Sequence, residues 1–216
     1  MTSSRKTEVL QLLRNSGDYV SGQQICETLG ISRTAVWKIM NQLKEEGYEI
    51  EAGQNKGYRL NGTPDVLSLA ELQSRVKTRM AGKELLYFDV IDSTNLEAKR
   101  RAEEGAPEGL LIVADKQVAG RGRRGRSWES PAGANIFMTL LLRPSYSAVC
   151  VYMVTLVMAL SVAQAIEEVS KLPVRIKWPN DIVVNKKKVV GILTELTMEA
   201  DYVQYMVSGV GINVNQ

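Results

Sequence analysis

The stretch "GRGRRGRSW" at residues 120–128 lies between two segments whose apolar patterns are typical of β-strands. Its first six residues match the G-x-G-x-x-G of dinucleotide-binding folds. That fingerprint requires a helix after the glycines, because the helix N-terminus faces the pyrophosphate. Here "ANIFMTLLLRP" (134–144) follows, and its apolar run predicts a strand. The Rossmann interpretation therefore fails on context, and a P-loop fails because the stretch contains no GK[ST].

Two interpretations of residues 120–126, the Arg–Gly loop, remain. An RNA-binding arm of this composition normally lies at a chain terminus rather than between core strands. The alternative is an active-site loop, in which four arginines provide charge for an anion and three glycines let the backbone close over a ligand. The position of the loop favours the active-site interpretation.

The segments around this loop alternate between strand and helix patterns. Strands are predicted in "ELLYFDVI" (84–91), "GLLIVADKQ" (109–117), "GANIFMTLLLRP" (133–144), "PVRIKWPNDIVVNKKKVVGILTEL" (173–196) and "YVQYMVSGVGINVN" (202–215), and a helix in "STNLEAKRRAEEG" (93–105). The apolar run at 148–166 resembles a membrane span, but Ser161 and Gln164 interrupt it. We therefore expect a buried helix there and no membrane segment.

Residues 1–62 have a different pattern. Three helices are predicted in "TEVLQLLRNSG" (7–17), "SGQQICETLG" (21–30) and "SRTAVWKIMNQLKEEG" (32–47), with Ser21 and Ser32 at N-cap positions. "YEIEAGQNKGYRL" (48–60) then predicts a β-hairpin. This order is typical of a winged helix-turn-helix domain.

The winged helix predicts a DNA-binding surface near the start of its third helix. The candidate DNA-binding residues are Ser21, Ser32, Arg33, Thr34, Trp37 and Lys38, with Lys56 at the wing tip as a phosphate contact. The alternative is a winged helix that makes protein contacts. "NGTPDVLS" (61–68) predicts a linker. We therefore expect a winged helix domain at 1–62 and a mixed α/β domain at 63–216.

Composition excludes several classes of function. The net charge of +3 makes the chain only mildly basic, so any nucleic-acid surface must be local. Histidine is absent, which excludes a His-based catalytic triad and a His-bearing zinc site. Cys26 and Cys150 are expected to be reduced thiols. The N-terminal residues lack the apolar core of a signal peptide, and we expect a cytoplasmic protein.

Several segments, taken in order, resemble those of biotin protein ligases of the class that doubles as biotin-operon repressors. The matching segments are "DSTN" (92–95), "GRGRRGRSWESPAGAN" (120–135), "KWPND" (177–181), "KKVVGILTEL" (187–196) and "GVGINVN" (209–215). The resemblance covers essentially the whole chain. It implies an α+β protein: an N-terminal winged helix-turn-helix domain plus a mixed α/β biotin-ligase catalytic domain. The family continues past "GINVNQ" with more of that domain and a small β-barrel, so we expect the C-terminal part of the family architecture to be missing.

The resemblance also implies an activity. Such ligases use biotin and ATP, with Mg²⁺, to form biotinoyl-5′-AMP, and then transfer the biotinoyl group to a lysine of a biotin carboxyl carrier protein. The implied partners are that carrier domain, operator DNA and a second copy in a ligand-promoted homodimer. Two alternatives remain open: a ligand-sensing winged-helix repressor without catalysis, and a lipoate or octanoyl transferase relative. Transferases of that kind lack both GRGRRGR and the winged helix.

The resemblance assigns site residues position by position. Those implied for biotin are Ser93, Thr94, Asn95, Gln117, Gly120, Arg121, Gly122, Arg123 and Lys188. Those implied for the nucleotide are Arg121, Arg123, Trp128, Asn180 and Asn213. The implied catalytic set is Lys188, Arg123 and Asp181.

Three of these assignments leave local alternatives. Lys188 is implied to hold the biotin carboxylate, although the adjacent Lys186 and Lys187 supply similar charge. Asp181 is the candidate for metal contact or for orienting the incoming amine, and no fixed metal site is expected beyond Mg²⁺ with ATP. Thr94 and Glu97 have capping-box spacing, which places "STN" at a helix N-terminus. A simple helix cap is the alternative role for that motif.

Overall fold

The computed structural model describes residues 2–145, 151–199 and 202–215. The chain forms two compact units, Met1–Lys77 and Thr78–Gln216. The boundary expected after residue 62 lies inside the first of these units. Cys26 is a free thiol, and Cys150 lies outside the described residues.

The first unit is a winged helix-turn-helix. Its elements are α1 (Thr2–Ser16), α2 (Gly22–Leu29), α3 (Arg33–Glu45), β1 (Glu49–Gly53), β2 (Gly57–Gly62) and α4 (Leu69–Arg75). The Ser21 Oγ accepts a hydrogen bond from the Gln24 amide at 3.0 Å, and the Ser32 Oγ accepts one from the Ala35 amide at 3.2 Å. Gly30 makes the turn between α2 and α3 with a φ of 62°, where glycine is favoured. The predicted order of helices and hairpin is confirmed.

Helix α4 is a feature that the sequence patterns do not predict. It begins at Leu69, directly after the predicted linker, and packs against α1. The buried Glu71 forms ion pairs with Arg14 and Arg75, both at 2.9 Å. These contacts place residues 63–77 with the winged helix, which explains why the unit ends later than expected.

The second unit is built on a seven-stranded mixed sheet. Its strands are β3 (Leu85–Ile91), β4 (Leu111–Gln117), β5 (Asn135–Leu142), β6 (Val174–Lys177), β7 (Asp181–Val184), β8 (Lys187–Glu199) and β9 (Tyr202–Asn213), and its helices are α5 (Thr94–Glu103) and α6 (Val151–Ser170). The strand order is β3-β4-β5-β9-β8-β7-β6. Only β3 and β4 are parallel among the described pairs, and α5 connects them. The predicted strands and the mixed sheet are confirmed.

The two helices of this unit cover opposite faces of the sheet. Helix α5 packs on a cluster that contains Val207, whereas α6 packs on a cluster that contains Val210. Because side chains alternate along a strand, residues 207 and 210 point to opposite faces. The face under α5 therefore also carries the glycines of the second half of β9, and it is the face on which the candidate site is built.

Helix α6 confirms the helix predicted in the apolar run, but its burial is confirmed for one side only. Ala159, Val162 and Ala163 pack on the sheet, whereas Met153 and Val157 are more than half exposed. In the described part of the chain, Met153–Ser170 is long and apolar enough to cross a bilayer, with a mean hydropathy of 1.4. That criterion considers only length and composition, and the core helices of other proteins also meet it.

Candidate active site

The floor of the site is a pair of neighbouring glycines under an indole ring. Gly191 of β8 pairs with Gly211 of β9. A Cβ added at either glycine would lie 2.6 Å from an atom of the Trp128 side chain. Glycine at both positions therefore lets the indole lie flat on the sheet. The Trp128 Nε1 is buried and has no hydrogen-bond partner among the described residues.

The N-terminus of α5 forms one wall of the site. Ser93, Thr94 and Asn95 are all buried. The Thr94 amide and Oγ1 donate to the Gln117 Oε1 at 2.9 and 3.1 Å. The Gln117 Nε2 in turn donates to the Ser130 Oγ at 3.0 Å. These bonds link the "STN" segment to the end of β4 and to the chain just beyond Trp128.

The capping box predicted for Thr94 and Glu97 is wrong. Ser93 is the N-cap and makes no side-chain cap bond. The Thr94 side chain is bonded to Gln117 instead, and Glu97 pairs with Arg100 and Arg101. A tertiary partner has replaced the local one, so the motif contributes more than a simple cap.

Asp92 fixes the turn that leads into α5. It accepts hydrogen bonds from the Ser93 amide at 2.6 Å and from two Arg100 nitrogens at 2.9 Å. The Arg100 hydrogen bond is the main cause that lowers the pKa of Asp92 below its ordinary value, against a smaller opposite effect of burial. The carboxylate therefore stays ionised and keeps the start of the helix in place.

A register irregularity brings Lys188 to the site. Ile182 pairs with Val190, but Val183 pairs with Lys188, so one extra residue is present in β8. An extra residue in one strand reverses the side that the following side chains face. The Lys188 Nζ consequently lies 5.0 Å from the centroid of the Trp128 ring and 2.8 Å from the Asp181 Oδ1. Lys186 and Lys187 are exposed and do not line the site.

The Arg–Gly loop lines the same two cavities as the indole. A short 3₁₀ turn at Arg123–Gly125 is closed by a hydrogen bond from the Gly122 amide to the Arg126 carbonyl at 2.7 Å. All four arginines are exposed. The Arg123 Nη1 donates to the Asn180 Oδ1 at 2.8 Å, and the Asn180 Nδ2 donates to the Ile192 carbonyl at 3.0 Å. The turn between β6 and β7 therefore tethers the loop to the sheet.

Most of the predicted ligand-binding residues line one cavity, here called the inner cavity. They are Ser93, Thr94, Asn95, Gln117, Arg121, Gly122, Arg123, Trp128, Asn180 and Lys188. An adjoining outer cavity shares Arg123, Trp128 and Lys188 with it and adds Asp181 and further arginines of the loop. The site thus combines buried polar groups at one end with a cluster of cations at the other.

Gly120 and Asn213 line neither cavity. A Cβ at Gly120 would lie 2.5 Å from the Trp128 carbonyl, so this glycine permits a close approach of the two chain segments. Asn213 pairs with Asn135 at the end of β9. Contact of these two residues with a ligand stays a prediction.

The DNA-binding candidates lie on the surface of the winged helix. Ser21, Ser32, Arg33, Thr34, Trp37, Lys38 and Lys56 are all exposed. Trp37 is 60% exposed, so its indole is available for contact with a partner. The Arg33 Nη2 donates to the Gln23 Oε1 at 2.9 Å. The surface therefore presents cationic, hydroxyl and aromatic groups together.

Comparisons with known proteins assign both units. Residues 87–213 match the Biotin/lipoate A/B protein ligase family, and residues 5–59 match an HTH domain. The chain belongs to the biotin/lipoate A/B protein ligase family. It is 47% identical over 217 residues to the bifunctional ligase/repressor BirA of Bacillus subtilis (strain 168), a match that covers 100% of this chain and 67% of the relative. The expected resemblance to the bifunctional class is confirmed.

Two further matches support this assignment. The chain is 35% identical over 207 residues to the bifunctional ligase/repressor BirA of Escherichia coli (strain K12), covering 96% of this chain and 63% of the relative. The structure matches the biotin protein ligase from Aquifex aeolicus in complex with biotin and ATP, with a TM-score of 0.52 and 38% identity. That match covers 62% of this chain and 53% of the other. The chain thus spans about two thirds of these curated relatives and about half of the solved chain.

Several residues of this family member's site were not foreseen from its sequence. Ile192, Leu193 and Val210 line the inner cavity, and Thr139 and Glu195 hydrogen-bond to Asn95 behind it. The pairing of β9 with β5 on one side and with β8 on the other brings these residues to α5. The neighbouring motifs KVVGIL and GVGIN are the signals that lie closest to them in sequence.

Proposed function

We propose that this protein is a biotin–protein ligase that also acts as a biotin-responsive repressor of transcription. The observation that carries the proposal is the inner cavity, which brings polar groups of α5 and β4 together with Lys188 and the Arg–Gly loop. The names of the relatives support it, because both BirA proteins are called bifunctional ligase/repressors.

The inner cavity provides groups for both ends of biotin. Ser93, Thr94, Asn95 and Gln117 supply polar atoms for the ureido ring. Lys188 is the cation for the carboxylate, since a carboxylate that leaves water requires a fixed positive partner. The Asp181 carboxylate pairs with Lys188 at 2.8 Å, so the carboxylate of biotin would replace that of Asp181 as the partner of Lys188.

The outer cavity suits the nucleotide. Arg123, Arg124 and Arg126 line this cavity and Arg121 lines the adjoining inner one, and in the proposal they neutralise phosphate charge. Trp128 offers a ring for the base. Two side-chain amides are proposed to contact the nucleotide. They are Asn180, which is hydrogen-bonded to β8, and Asn213. The unpartnered Trp128 Nε1 supports a ligand here, because a buried donor without an acceptor is costly.

In the proposed reaction each of these residues has a role. A carboxylate oxygen of biotin attacks the α-phosphorus of ATP, pyrophosphate leaves, and biotinoyl-5′-AMP forms. The carboxylate is already ionised, so Lys188 and Arg123 act by positioning and charge neutralisation, and the lack of histidine is no obstacle. In the second half the amine of a carrier lysine attacks the carbonyl, AMP leaves, and the amine loses a proton. We assign to Asp181 the role of orienting that amine.

Magnesium fits this site as a companion of ATP. Among the described residues that line the two cavities, Asp181 is the one carboxylate, and the described residues hold no cluster of three or more His, Cys, Asp or Glu. Mg²⁺ is commonly held by one or two carboxylates together with substrate phosphates. Asp181 would supply the protein oxygen, and the ion would add charge neutralisation at the phosphates.

The repressor half of the proposal rests on the winged helix. Its exposed face carries Arg33, Trp37 and Lys38, suited to an operator, while Lys56 on the wing is suited to phosphate. The remaining partners are a biotin carboxyl carrier protein and, when the adenylate is bound, a second copy of the protein. We place all of these reactions in the cytoplasm.

Biotin-dependent exchange of pyrophosphate into ATP tests the ligase half. The complete protein should catalyse exchange with biotin but not with lipoate or octanoate. Exchange with lipoate would favour the transferase alternative. A protein that binds biotin and operator DNA but shows no exchange would be a ligand-sensing repressor without catalysis.

A further inference from the structure

The side-chain amide of Asn95 is held on both sides by buried or half-buried groups. Its Nδ2 lies 2.7 Å from the Glu195 Oε2 and 3.2 Å from the Leu193 carbonyl, both on β8. Its Oδ1 lies 2.7 Å from the Thr139 Oγ1 on β5. The same oxygen lies against Gly209, where an added Cβ would overlap it. Asn95, Leu193 and Gly209 all line the inner cavity.

These partners permit one orientation of the amide. A carbonyl and a carboxylate only accept hydrogen bonds, so the NH₂ group must face β8 and the oxygen must face Thr139 and Gly209. The two hydrogens of Nδ2 are then used by Leu193 and Glu195. Only the oxygen of the amide, with a free lone pair, remains for a ligand.

Glu195 stays ionised in this position. Burial alone would raise the pKa of Glu195, but hydrogen bonds from Lys99 and Asn95, together with the charges of Lys99 and Arg121, lower it below its ordinary value. The Lys99 Nζ lies 2.6 Å from the Glu195 Oε1, and both side chains are about 70% covered. An ionised Glu195 has no proton to donate, so it cannot accommodate the flipped amide.

A fixed acceptor in the cavity wall favours a ligand that carries an N–H group. The ring of biotin carries ureido N–H groups, whereas a dithiolane ring or a plain acyl chain carries none. A ligand without an N–H would leave the Asn95 oxygen buried with one partner fewer, which is unfavourable. Gln117 is oriented in the same way, because its oxygen already accepts from Thr94 and its NH₂ donates to Ser130.

We propose that Glu195 is a positioning residue for ligand choice: it fixes the Asn95 amide so that its oxygen accepts a ring N–H of the ligand. The inference rests on the proposed function, since it assigns a selectivity determinant to the same cavity. Glu195 itself does not line that cavity, and it acts through Asn95. Without an acceptor at position 195, only the longer bond to the Leu193 carbonyl, at 3.2 Å, holds the NH₂ toward β8. The amide then rotates more readily and presents its NH₂ to the ligand N–H.

Two variants separate the hydrogen-bond acceptor from the charge. Glu195→Met keeps a similar volume without an acceptor, and Glu195→Gln keeps an acceptor oxygen. Both remove the negative charge that pairs with Lys99, so a difference between them does not come from the lost ion pair. Glu199→Ala is the matched control, because Glu199 is an exposed residue of the same strand and lies outside both cavities. The double variant Lys99→Met/Glu195→Met removes both charges and serves if the single Met variant does not fold.

Calorimetric titration of the complete protein with biotin, without ATP, gives the first readout. We expect Glu195→Met to weaken biotin binding about 10-fold, Glu195→Gln by less than about 3-fold and Glu199→Ala not at all. In the exchange assay, the KM for biotin should rise in parallel with the dissociation constant, while kcat and the KM for ATP stay near those of the parent. A general structural defect would instead lower kcat and shift both KM values.

The outcomes distinguish the two proposals. If the parent protein does not bind biotin, the proposed function is wrong. If the parent binds biotin and the Met variants bind equally well, Glu195 does not position Asn95. Equal weakening in the Met and Gln variants would also overturn the inference, because it would assign the effect to charge rather than to the acceptor.

Discussion

Lys188 illustrates how much of the site depends on a single side chain. It is the one lysine of "NKKKVV" whose amine reaches the site, and it is paired there with Asp181 at 2.8 Å. We predict that Lys188→Ala raises the KM for biotin about 10- to 100-fold, the range expected for loss of a hydrogen bond between charged groups. The exchange assay on the complete protein measures this change.

Lys187→Ala is the control for that prediction. Lys187 is the adjacent residue of β8, but it is exposed and lines neither cavity. It should behave like the parent, and the unfolding of the winged helix should be unchanged in both variants. Unaltered biotin activation in Lys188→Ala would assign the carboxylate to Lys187 or to an arginine of the loop.

Gly211 provides a second test on the scale of one residue. A methyl group there would lie 2.6 Å from the Trp128 Nε1, so Gly211→Ala should displace the indole. With Trp37 and Trp178 replaced by Phe, Trp128 is the one remaining tryptophan, and its emission should shift to longer wavelength. The KM for ATP should rise as well. Gly22→Ala, where the nearest atom is 3.9 Å away, is the control; parental emission in Gly211→Ala would contradict the proposed packing.

At the scale of elements, local patterns were sufficient for the strands but not for their arrangement. Alternating and continuous apolar runs identified β3 to β9, because each strand buries side chains of its own. Lys188 faces the site because β8 contains one extra residue. Helix α4 is joined to α1 by an ion pair between Arg14 and Glu71. Neither contact has a local signature, so the sequence could not indicate them.

The sequence motifs likewise identified site residues but not the partners that hold them. Ten of the residues assigned by resemblance line one cavity. The spacing of Thr94 and Glu97, taken alone, predicted a capping box that does not form. The buried partners of Asn95 come from β5 and β8, about 44 and 100 positions away along the chain. Long-range hydrogen bonds of this kind appear only once the sheet order is known.

The Arg–Gly loop is the element that we expect to respond to ligand. Its arginines are exposed, and its tether to the sheet is the Arg123–Asn180 hydrogen bond at 2.8 Å. Few buried contacts oppose the conformational entropy of the loop. Trypsin should therefore cleave at 121–126 in the free protein, and biotinoyl-AMP should slow that cleavage at least about 10-fold. Cleavage after Lys186, in the exposed β7–β8 turn, is the internal control; equal nicking of the loop with and without ligand would exclude the ordering.

At the scale of the whole molecule, the modest charge limits what one copy can do on DNA. The net charge is only +3, and a single winged helix contacts few phosphates, so it should bind weakly at physiological salt. Specific repression therefore calls for two copies on a two-fold symmetric operator. In the proposed scheme the two units have separate tasks: the first would contact DNA, and the second would control when two copies associate.

One edge of the sheet offers a surface on which a second copy could associate. β6 is an edge strand of four residues, Ile176 within it is 39% exposed, and Trp178 just beyond it is 77% exposed. Asn180, the partner of Arg123, follows two residues later. A ligand that orders the Arg–Gly loop would therefore also fix the chain beside the outer edge of β6, which has no neighbour among the described strands. A second copy can add its own strand at such an edge.

We predict that biotinoyl-AMP tightens dimerisation of the complete protein, so that operator affinity reports the supply of biotin. Unmodified carrier protein would consume the adenylate and the dimer would dissociate. Sedimentation with and without biotinoyl-AMP, followed by operator titration at fixed salt, measures both steps. Ile176→Asp places a charge on the edge strand and lies outside both cavities, so it should abolish the dimer and leave biotin activation intact. A dimer constant indifferent to the adenylate, or tight operator binding by a monomer, would show that the two activities are not coupled in this way.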